Sequence, residues 1–406
     1  MHVLLFATCD TKGREAAWLK RQLDRFGVAA RIVDCGCVGE PQCEVDVPRE
    51  EVFRAAGTSL EAMRAAGDRG RAVDAAADGA RQLALEAAEH GELAGVLGLG
   101  GSAGTTIGTA AMRALPLGLP KLMISTLAAG QVRPYVGGKD ILMLHSVVDL
   151  AGVNRISRKV LGLAVGAMTG MTQTRISLAM AEDGATDRPL VATTMFGVTT
   201  PCVERAQEVL EEAGYEVLVF HATGSGGESF EAIVRSGLLA GALDLTTTEL
   251  CDERVGGILS AGADRLTAAA EVGLPQVVSV GATDMVNFGP RQTLPAAFEG
   301  RTVHVHNANV TLMRTTADEC RAIGAELGEK VARSRGPAAI LLPGRGVSAI
   351  DAAGQPFDDP EARSALFDSI RASCGEVECT LIDHHINDPE FAEAAARKLL
   401  DLMKTV

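Results

Sequence analysis

Aromatic residues are scarce in this sequence. Phe, Trp and Tyr make up only 3% of the 406 residues, whereas glycine occurs 45 times. Aliphatic residues and alanine must therefore fill the interior, which is typical of buried parallel strands covered by Ala-rich helices. The length allows two or three domains of ordinary size, and a hydrophobic content of 47% excludes a disordered chain.

Long apolar runs and an excess of positive charge are also missing. No stretch of 18 or more apolar residues predicts a membrane-spanning helix. The opening MHVLLFATCD does not fit a signal peptide, because it has no basic start and Asp10 ends its short apolar run. A formal net charge of −14 argues against a general surface for nucleic acid or anionic membranes. We therefore expect a soluble, cytoplasmic protein with neither kind of partner.

The nine cysteines show no metal-binding or disulfide pattern. Their number is odd, no CxxC pair occurs, and Cys35, Cys37 and Cys43 have no histidine nearby. Reduced cytosolic thiols are therefore expected in preference to a zinc site. Cys202 stands at the start of a predicted helix, where the helix dipole would lower the pKa of a thiol. Because no His or Asn/Asp partner can be assigned to it, core packing is favoured over a nucleophilic role.

A strand–loop–helix–strand pattern occurs twice along the chain. In the first 36 residues the apolar run HVLLFAT precedes a polar turn, CDTKG, a helix over 14–26 and a second strand, VAARIVDCG. Residues 190–224 repeat this order. Later segments of the two halves correspond as well: 92–106 with 238–250, and 119–126 with 274–281. The pattern predicts an α/β fold of two Rossmann-like parallel-sheet subdomains that face each other across a cleft.

The polar loop DGATDRP at 183–189 is the predicted joint between the halves. It separates an N-terminal nucleotide-binding subdomain, 1–185, from a C-terminal subdomain, 186–406, with a second polar pocket. Residues 146–182 before the joint are predicted to be helical. The Met-, Ala- and Gly-rich part of this region carries little charge, so it is a candidate interface for a homodimer or larger homo-oligomer, with burial between the halves as the alternative.

The stretch GVLGLGGSAGTT, residues 95–106, reads as a strand that passes into a helix through a glycine-rich loop. Glycines allow backbone N–H groups to approach an anion, and the start of the helix adds partial positive charge. Ser102, Thr105 and Thr106 can add hydroxyl groups. The alternative is a structural turn that needs glycine for positive φ angles and for close helix–sheet packing. Spacing alone does not decide between a phosphate cradle and such a turn.

A second polar loop, TCDTKG, leaves the first strand at the same edge of the predicted sheet. Lys12 offers a cation, Thr11 a hydroxyl group and Gly13 a free N–H group, while Asp10 can bind a metal ion or a ribose hydroxyl. The alternative is that Asp10 caps a helix and Lys12 is a solvated charge. Neither loop matches the spacing GxxxxGK[ST] or GxGxxG.

Polar residues also follow the strands of the second half. Thr247 and Glu249 come after one strand and Asp284 after the next, so they are expected at one edge of the sheet. Arg345, between two glycines, can clamp a carboxylate or phosphate, and His385 precedes the last helix. The alternative is that these residues cap helices. His304 and His306 share one face of a predicted strand, where half-exposed structural histidines are commoner than a metal pair.

The chain resembles one family from residue 1 to residue 403, through an ordered set of motifs: ATCDTKG, GLGGSAGT, RPYVGGKDI, SVVDLAGVNRIS, ATTMFGVTTPCV, LDLTTTEL, DMVNFGP, TLMRTT, RGVSAID and HINDPEF. It is the bacterial and fungal family that is similar to the ATP-binding domain of the tomato mosaic virus resistance protein. The resemblance implies two Rossmann-like subdomains with an ATP site in the first. It carries the nucleotide-binding role onto nine residues: Asp10, Thr11, Lys12, Gly13, Gly100, Gly101, Ser102, Gly104 and Thr105.

We therefore expect an ATP-binding protein that uses Mg²⁺, with Asp10 as the metal ligand. In its fullest form the hypothesis is an ATP-dependent enzyme that activates a small acidic or carbonyl-bearing metabolite in the cleft. Its catalytic residues would be Glu249, Asp284, Arg345 and His385. Two alternatives stay open: a nucleotide-gated binding or scaffold protein without turnover, and an ATP-independent hydrolase or lyase of a small acidic metabolite.

Overall fold

Parallel β-sheets form the centre of both halves of the chain. The computed structural model describes residues 1–181 and 188–405. The chain divides into two units, unit 1 and unit 2, between Thr186 and Asp187. Most of the predicted joint, 183–189, lies outside the described residues. The α/β class with two Rossmann-like parallel-sheet units is confirmed.

Within residues 1–181 the sheet of unit 1 has five strands: β1 (His2–Ala7), β2 (Ala30–Asp34), β3 (Leu93–Gly100), β4 (Lys121–Ser125) and β5 (Leu142–His145). The helices of this unit are α1 (Cys9–Arg25), α2 (Arg49–Ala55), α3 (Leu60–Ala66), α4 (Arg69–Glu89), α5 (Ser102–Ala114), α6 (Arg133–Val136) and α7 (Ser157–Ala181). The strands are parallel and lie in the order β2-β1-β3-β4-β5.

Hydrophobic side chains cover both faces of this sheet. The Ala-rich sides of α4 and α5 pack on one face, and α1 and α7 pack on the other. In α1 the buried side includes Leu19 and Leu23, as the sequence pattern predicts. Because α1 follows β1 and α5 follows β3, these two helices leave the sheet toward opposite faces. Small residues also allow helices to approach closely: a Cβ on Gly79 of α4 would lie 1.9 Å from the carbonyl oxygen of Val52 in α2.

Residues 188–405 contain nine strands: β6 (Leu190–Met195), β7 (Glu216–His221), β8 (Leu239–Thr246), β9 (Gln276–Gly281), β10 (Met285–Phe288), β11 (Val303–Asn307), β12 (Val310–Arg314), β13 (Ala338–Pro343) and β14 (Glu378–Ile382). The helices of unit 2 are α8 (Thr200–Glu212), α9 (Ser225–Val234), α10 (Glu249–Val255), α11 (Ala268–Val272), α12 (Ala317–Ala332), α13 (Pro360–Ser373) and α14 (Pro389–Met403). The main sheet has the order β7-β6-β8-β9-β13-β14, and a small antiparallel sheet has the order β10-β12-β11.

The two units share one strand order. Numbered along its own unit, each main sheet reads 2-1-3-4-5, and unit 2 adds a sixth strand at the end. The segments that correspond in sequence occupy equivalent places, because β1-α1-β2 matches β6-α8-β7, and β3 and β4 match β8 and β9. In this order the winding reverses between the first and third strands, and ligands of open α/β sheets bind outside the carboxyl ends of the strands at that point.

Two local predictions are wrong. CDTKG is the first turn of α1 rather than a loop, because Asp34 at the end of β2 accepts a hydrogen bond from the N–H of Cys9 at 2.9 Å. The region 146–182 becomes helical only at Ser157. There the side chain of Asn154 accepts hydrogen bonds from the N–H groups of two following residues and starts α7. Among the described residues, none of the helices combines the length and the apolar character that a transmembrane span requires.

Candidate functional site

The carboxyl ends of β1 and β3 meet where the strand order of unit 1 reverses. Ala7, the last residue of β1, lies opposite Leu99 in β3, and Gly100 lies opposite Ser125 in β4. The chain continues from β1 into α1 on one face of the sheet and from β3 into α5 on the other. Helices that diverge in this way leave a crevice between them, which is the usual ligand site of open parallel sheets.

Close packing explains two glycines at the junction of β3 and α5. A Cβ on Gly100 would lie 2.7 Å from the Cα of Gly104, and a Cβ on Gly104 would lie 2.9 Å from the carbonyl oxygen of Leu99. Neither glycine, nor Gly101, has a positive φ angle. A turn that requires left-handed glycine is therefore wrong for this loop, whereas close helix–sheet packing is correct. The packing seats the first turn of α5 directly on the end of β3.

The N-terminus of α5 carries hydrogen-bond donors without acceptors. Its N-cap residue, Gly101, makes no side-chain cap, and the N–H of Thr105 is the first to bond, to the Gly101 carbonyl oxygen at 2.8 Å. The N–H groups of Ser102, Ala103 and Gly104 have no acceptor among the described residues. Three such donors and the positive end of the helix dipole favour an anion at this place.

The hydroxyl groups of this turn differ in availability. Thr105 is buried, and its Oγ1 bonds to the Gly101 carbonyl oxygen and to Oγ of Ser125, both at 2.7 Å. Thr106 Oγ1 donates to the carbonyl oxygen of Ser102 at 3.0 Å. Ser102 itself is exposed. The Ser102 hydroxyl can therefore reach a ligand, whereas Thr105 fixes the turn.

Three of the four N–H groups at positions 9–12, at the start of α1, have acceptors within the protein. The N–H of Cys9 bonds to Asp34, and those of Thr11 and Lys12 bond to the Thr8 carbonyl oxygen at 3.0 and 2.8 Å. Gly13 lies in the second turn, where the N–H bonds four residues back along the helix. The expectation of a free N–H at Gly13 is therefore wrong.

Close packing favours glycine at position 13. A Cβ there would lie 3.1 Å from Cβ of Gln42 and 3.2 Å from the backbone nitrogen of Cys43. The segment after β2 thus packs closely against the first turns of α1. Thr11, in contrast, is exposed, and its hydroxyl group contacts that of Thr8 at 3.0 Å.

Asp10 holds the loop that follows β2. Its Oδ2 accepts hydrogen bonds from the N–H groups of Val38 and Gly39 at 3.0 and 3.2 Å, and its other oxygen, Oδ1, faces Gly36. The described residues contain no group of three or more His, Cys, Asp or Glu side chains that could hold a metal ion. One carboxylate oxygen fits Mg²⁺ only together with oxygens of a bound nucleotide, which is the usual way in which this ion binds.

Lys12 faces the segment 146–152, which follows β5. Its Nζ donates a hydrogen bond to the carbonyl oxygen of Leu150 and lies 3.9 Å from Oδ1 of Asp149. Leu150 is buried in the core beside α1, so this contact is fixed in place. An ammonium group has three donors, and the Lys12 side chain remains 16% exposed. The Lys12 ammonium group therefore has capacity for another acceptor.

In unit 2, Glu249 belongs to a buried cluster around Arg265. Carboxylate oxygens of Glu249, Asp244 and Glu231 lie 2.5 to 3.2 Å from the Arg265 guanidinium nitrogens. Glu249 Oε1 also accepts hydrogen bonds at the start of α9, the shorter from the N–H of Gly224 at 2.6 Å. Burial raises the pKa of Glu249, and the Arg265 charge opposes that shift. Both oxygens of Glu249 are engaged and buried, so a contact with a substrate, as predicted, would require one of these bonds to open.

Asp284 is a buried carboxyl group, and only one of its two oxygens has a hydrogen-bond partner among the described residues. Its Oδ2 accepts a hydrogen bond from Ser348 Oγ at 2.8 Å, and its Oδ1 has no hydrogen-bond partner within the described chain. Burial, together with the nearby Asp351 carboxylate, raises the pKa of Asp284 to about 7. Arg314 lies close by, 3.5 Å from Asp351. The protonated form of this carboxyl group is therefore favoured over the charged form.

The ring nitrogens of His385 are both in use. Nδ1 accepts a hydrogen bond from the N–H of Asn387 at 3.1 Å, and Nε2 lies 2.9 Å from the carbonyl oxygen of Ser348. This arrangement places the proton on Nε2. His385 and Asp284 thus share Ser348 as a neighbour, which brings two of the expected catalytic residues together.

Arg345 is separate from that pair. It forms a two-fold ion pair with Asp383 on the surface, at 3.0 Å from Nε and 2.8 Å from Nη2. Its expected role as a clamp for a ligand would require the loss of this pair. Glu249, Arg345 and the His385–Asp284 pair therefore share no common hydrogen-bond network in the described structure.

The threonine hydroxyl groups at the carboxyl end of β8 are buried. Thr246 Oγ1 bonds to Thr199 Oγ1 and Thr247 Oγ1 donates to the Ser279 carbonyl oxygen, both at 2.9 Å. Sequence reasoning missed Arg265, which organises this region. Its signal is weak, because a single arginine in AGADRLTAAA matches no motif and most arginines are exposed.

Cys202 and His304, the two weaker candidates from the sequence, both contact other residues of the protein. Cys202 is buried in the core, and burial raises the pKa of its thiol, which agrees with the packing role. His304 in β11 lies edge-on to Phe357, with ring centres 6.5 Å apart.

The fold defines the class of the protein: an α/β protein of two Rossmann-like units. In the first unit, α5 begins without a side-chain cap at the place where the strand order reverses. Family models match both units. The N-terminal domain of the "Uncharacterised protein family (UPF0261)" matches residues 1–177, and its C-terminal domain matches residues 188–403. The chain belongs to the UPF0261 family.

Individual relatives agree with this assignment and confirm the resemblance. A UPF0261 protein of Clostridium tetani is 45% identical over 404 residues, which cover 99% of both chains. UPF0261 protein RA0729 of Rhizobium meliloti is 45% identical over 404 residues and 98% of both chains. The ToMV resistance protein Tm-1(GCR237) of Solanum lycopersicum is 42% identical over 418 residues, which cover 98% of this chain and 55% of the tomato protein.

Proposed function

We propose that unit 1 binds ATP with its phosphates at the N-terminus of α5. The observation that carries the proposal is the set of N–H groups on Ser102, Ala103 and Gly104, which have no acceptor among the described residues. They lie at the point where the strand order reverses, where open α/β sheets bind ligands. ATP is the nucleotide that the family resemblance implies.

The neighbouring side chains add charge and hydrogen bonds to this site. Lys12 supplies a cation from the α1 side of the crevice, and Ser102 and Thr11 supply exposed hydroxyl groups. Asp10 offers Oδ1 to a Mg²⁺ ion held mainly by nucleotide oxygens. When bound, ATP brings a polyphosphate whose negative charge these groups stabilise. Gly13, like the two close-packed glycines at the junction of β3 and α5, contributes by packing.

A nucleotide-binding protein without turnover is the form of this proposal that unit 2 favours. Glu249, Arg345 and His385 are engaged by partners within the chain, and Asp284, which keeps one oxygen without a partner, is fully buried. ATP-dependent activation of a small acidic metabolite is the alternative, and it requires these contacts to open. Phosphate release in the presence of candidate carboxylic acids separates the two forms.

We also propose that the protein is a cytoplasmic homodimer. All nine cysteines are free, as in a reducing compartment. On α7, a Cβ at Gly162, Gly166 or Gly170 would meet nothing within 4 Å, and Leu163 beside them is 68% exposed. An exposed apolar face with small residues allows a second helix to approach. Light scattering should return twice the mass of one chain, and the mass of a single chain would contradict the dimer.

Calorimetric titration tests the central proposal. ATP, ADP and AMP are titrated into the whole protein with and without Mg²⁺. We expect ATP to bind most tightly, because it places the most charge against the α5 donors, and Mg²⁺ to change its affinity. Absence of binding for all three nucleotides would overturn the proposal.

A further inference from the structure

A pocket of about 250 Å³ opens beside the loop that follows β2. Its lining includes Cys37 and Val38 from this loop, Met63 and Arg64 from α3, and Arg69 at the start of α4. It lies at the carboxyl edge of the unit 1 sheet, the edge at which α5 also begins. Pockets for whole ligands usually measure roughly 300–1,000 Å³, so this one suits a ring-sized part of a ligand.

The pocket lies along the same edge of the sheet as the start of α5. The Val38 and Gly39 N–H groups bond to the Asp10 carboxylate in the first turn of α1. Since β2, β1 and β3 are neighbours in the sheet, the exits of β2 and β3 are about 10 Å apart. α4, which lines the pocket, packs against α5 on the same face of the sheet. A ligand that starts at α5 can therefore cross the end of β1 and reach the pocket.

The chemistry of the lining suits a flat aromatic ring. Val38, which is 72% exposed, and Met63 supply apolar surface. The Arg64 guanidinium is fixed by two hydrogen bonds, from Nε to the Cys37 carbonyl oxygen at 3.1 Å and from Nη2 to the Val38 carbonyl oxygen at 3.2 Å. A guanidinium plane held in this way can stack on a heteroaromatic ring. Because two of its donors are already used on carbonyl oxygens, stacking is favoured over phosphate binding.

We infer that this pocket binds the base of the nucleotide whose phosphates bind at α5. The inference rests on the proposed function, since it extends the same site from the phosphates to the base. The phosphates and the base would then lie on opposite sides of the β1 exit, with the ribose above the first turn of α1.

The test compares ATP with inorganic tripolyphosphate, which has the phosphates without the base. Both are titrated into the wild type, Arg64→Lys and Val38→Ser. Arg64→Lys keeps the charge but removes the planar group and its two hydrogen bonds to the loop. Val38→Ser changes an exposed side chain, and urea denaturation of both variants checks that the fold is kept. Arg371→Lys, on the exposed side of α13, is the matched control. We expect the two pocket variants to bind ATP three- to tenfold more weakly, with tripolyphosphate affinity and the control unchanged.

Three results would overturn the inference, and they differ in whether the proposed phosphate site is also overturned. Wild-type protein that binds tripolyphosphate as tightly as ATP has no site for the base, but keeps the phosphate site. Pocket variants with unchanged ATP affinity place the base elsewhere. If the wild-type protein binds neither compound, both the proposed function and this inference are overturned.

Discussion

Gly100 and Gly104 are so close that a Cβ on Gly100 would lie 2.7 Å from the Cα of Gly104. This contact brings the first turn of α5 onto the end of β3 and leaves the N–H groups of Ser102 and Ala103 at the open edge of the sheet. The glycines therefore act by allowing the helix to come close, and the donors that result are backbone groups. The proposed binding of nucleotide depends on this position of the first turn of α5 on the end of β3.

Gly100→Ala should move α5 and weaken the protein. The added methyl group has no room against a backbone atom, so we expect a loss of roughly 1–3 kcal/mol in the free energy of unfolding. Urea denaturation measures it, and ATP affinity should fall as well. Gly197→Ala is the control, because Gly197 is exposed and a Cβ there meets nothing within 4 Å. Equal stability of the two variants would contradict the packing role of Gly100.

Lys12→Met should weaken ATP binding by at least about tenfold and leave the fold intact. The variant keeps the length of the side chain but removes a charge-assisted hydrogen bond, which contributes roughly 1.5–3 kcal/mol. Titration calorimetry measures the affinity, and Lys20→Met on the same helix should bind ATP like the wild type. If both variants bind ATP with wild-type affinity, the phosphates do not lie near Lys12.

Arg265→Met should destabilise the protein by roughly 3–5 kcal/mol, because it leaves three buried carboxyl groups without their shared cation. Chemical denaturation measures the loss. Arg345→Met removes an exposed ion pair and should leave stability nearly unchanged. A small effect at Arg265 would show that the carboxyl groups are neutral and need no cation.

The fold was predictable because strand ends carry local signals. Apolar runs end at Gly100 and before Asp10, and the same order of segments recurs in the second half. The free donors at each exit were not predictable, because they depend on distant residues. Asp34, 25 residues away, uses the N–H of Cys9, whereas nothing in the described structure uses that of Ala103.

The role of Glu249 illustrates the same limit. A glutamate after TTT at a strand exit is typical of both a catalytic residue and a helix cap, and the local sequence is identical for the two. The surroundings of Glu249 are instead set by Arg265, which lies in another loop and binds the Glu249 carboxylate in the interior. Long-range ion pairs of this kind leave no periodic pattern.

Asp284→Asn should change how stability depends on pH. Burial and Asp351 raise the pKa of Asp284 to about 7 in the folded protein, above the value near 3.9 expected when unfolded. Folded protein therefore holds this proton more tightly, so the contribution is complete below about pH 4 and is lost as pH rises through about 7. Between pH 5 and pH 8 the wild type should lose more stability than Asp284→Asn. Exposed Asp318→Asn is the control, and parallel curves for wild type and Asp284→Asn would contradict the shift.

The most direct test of nucleotide binding at α5 is the ATP affinity of Ser102→Pro. Proline is tolerated at the first position of a helix, but it removes the N–H group that faces the proposed phosphates. Ala317→Pro makes the same change at the start of α12, after an N-cap that is also extended. Titration calorimetry should show at least tenfold weaker ATP binding for Ser102→Pro, a smaller loss for Ser102→Ala and wild-type affinity for Ala317→Pro. Folded Ser102→Pro that binds ATP as tightly as the wild type would contradict the account.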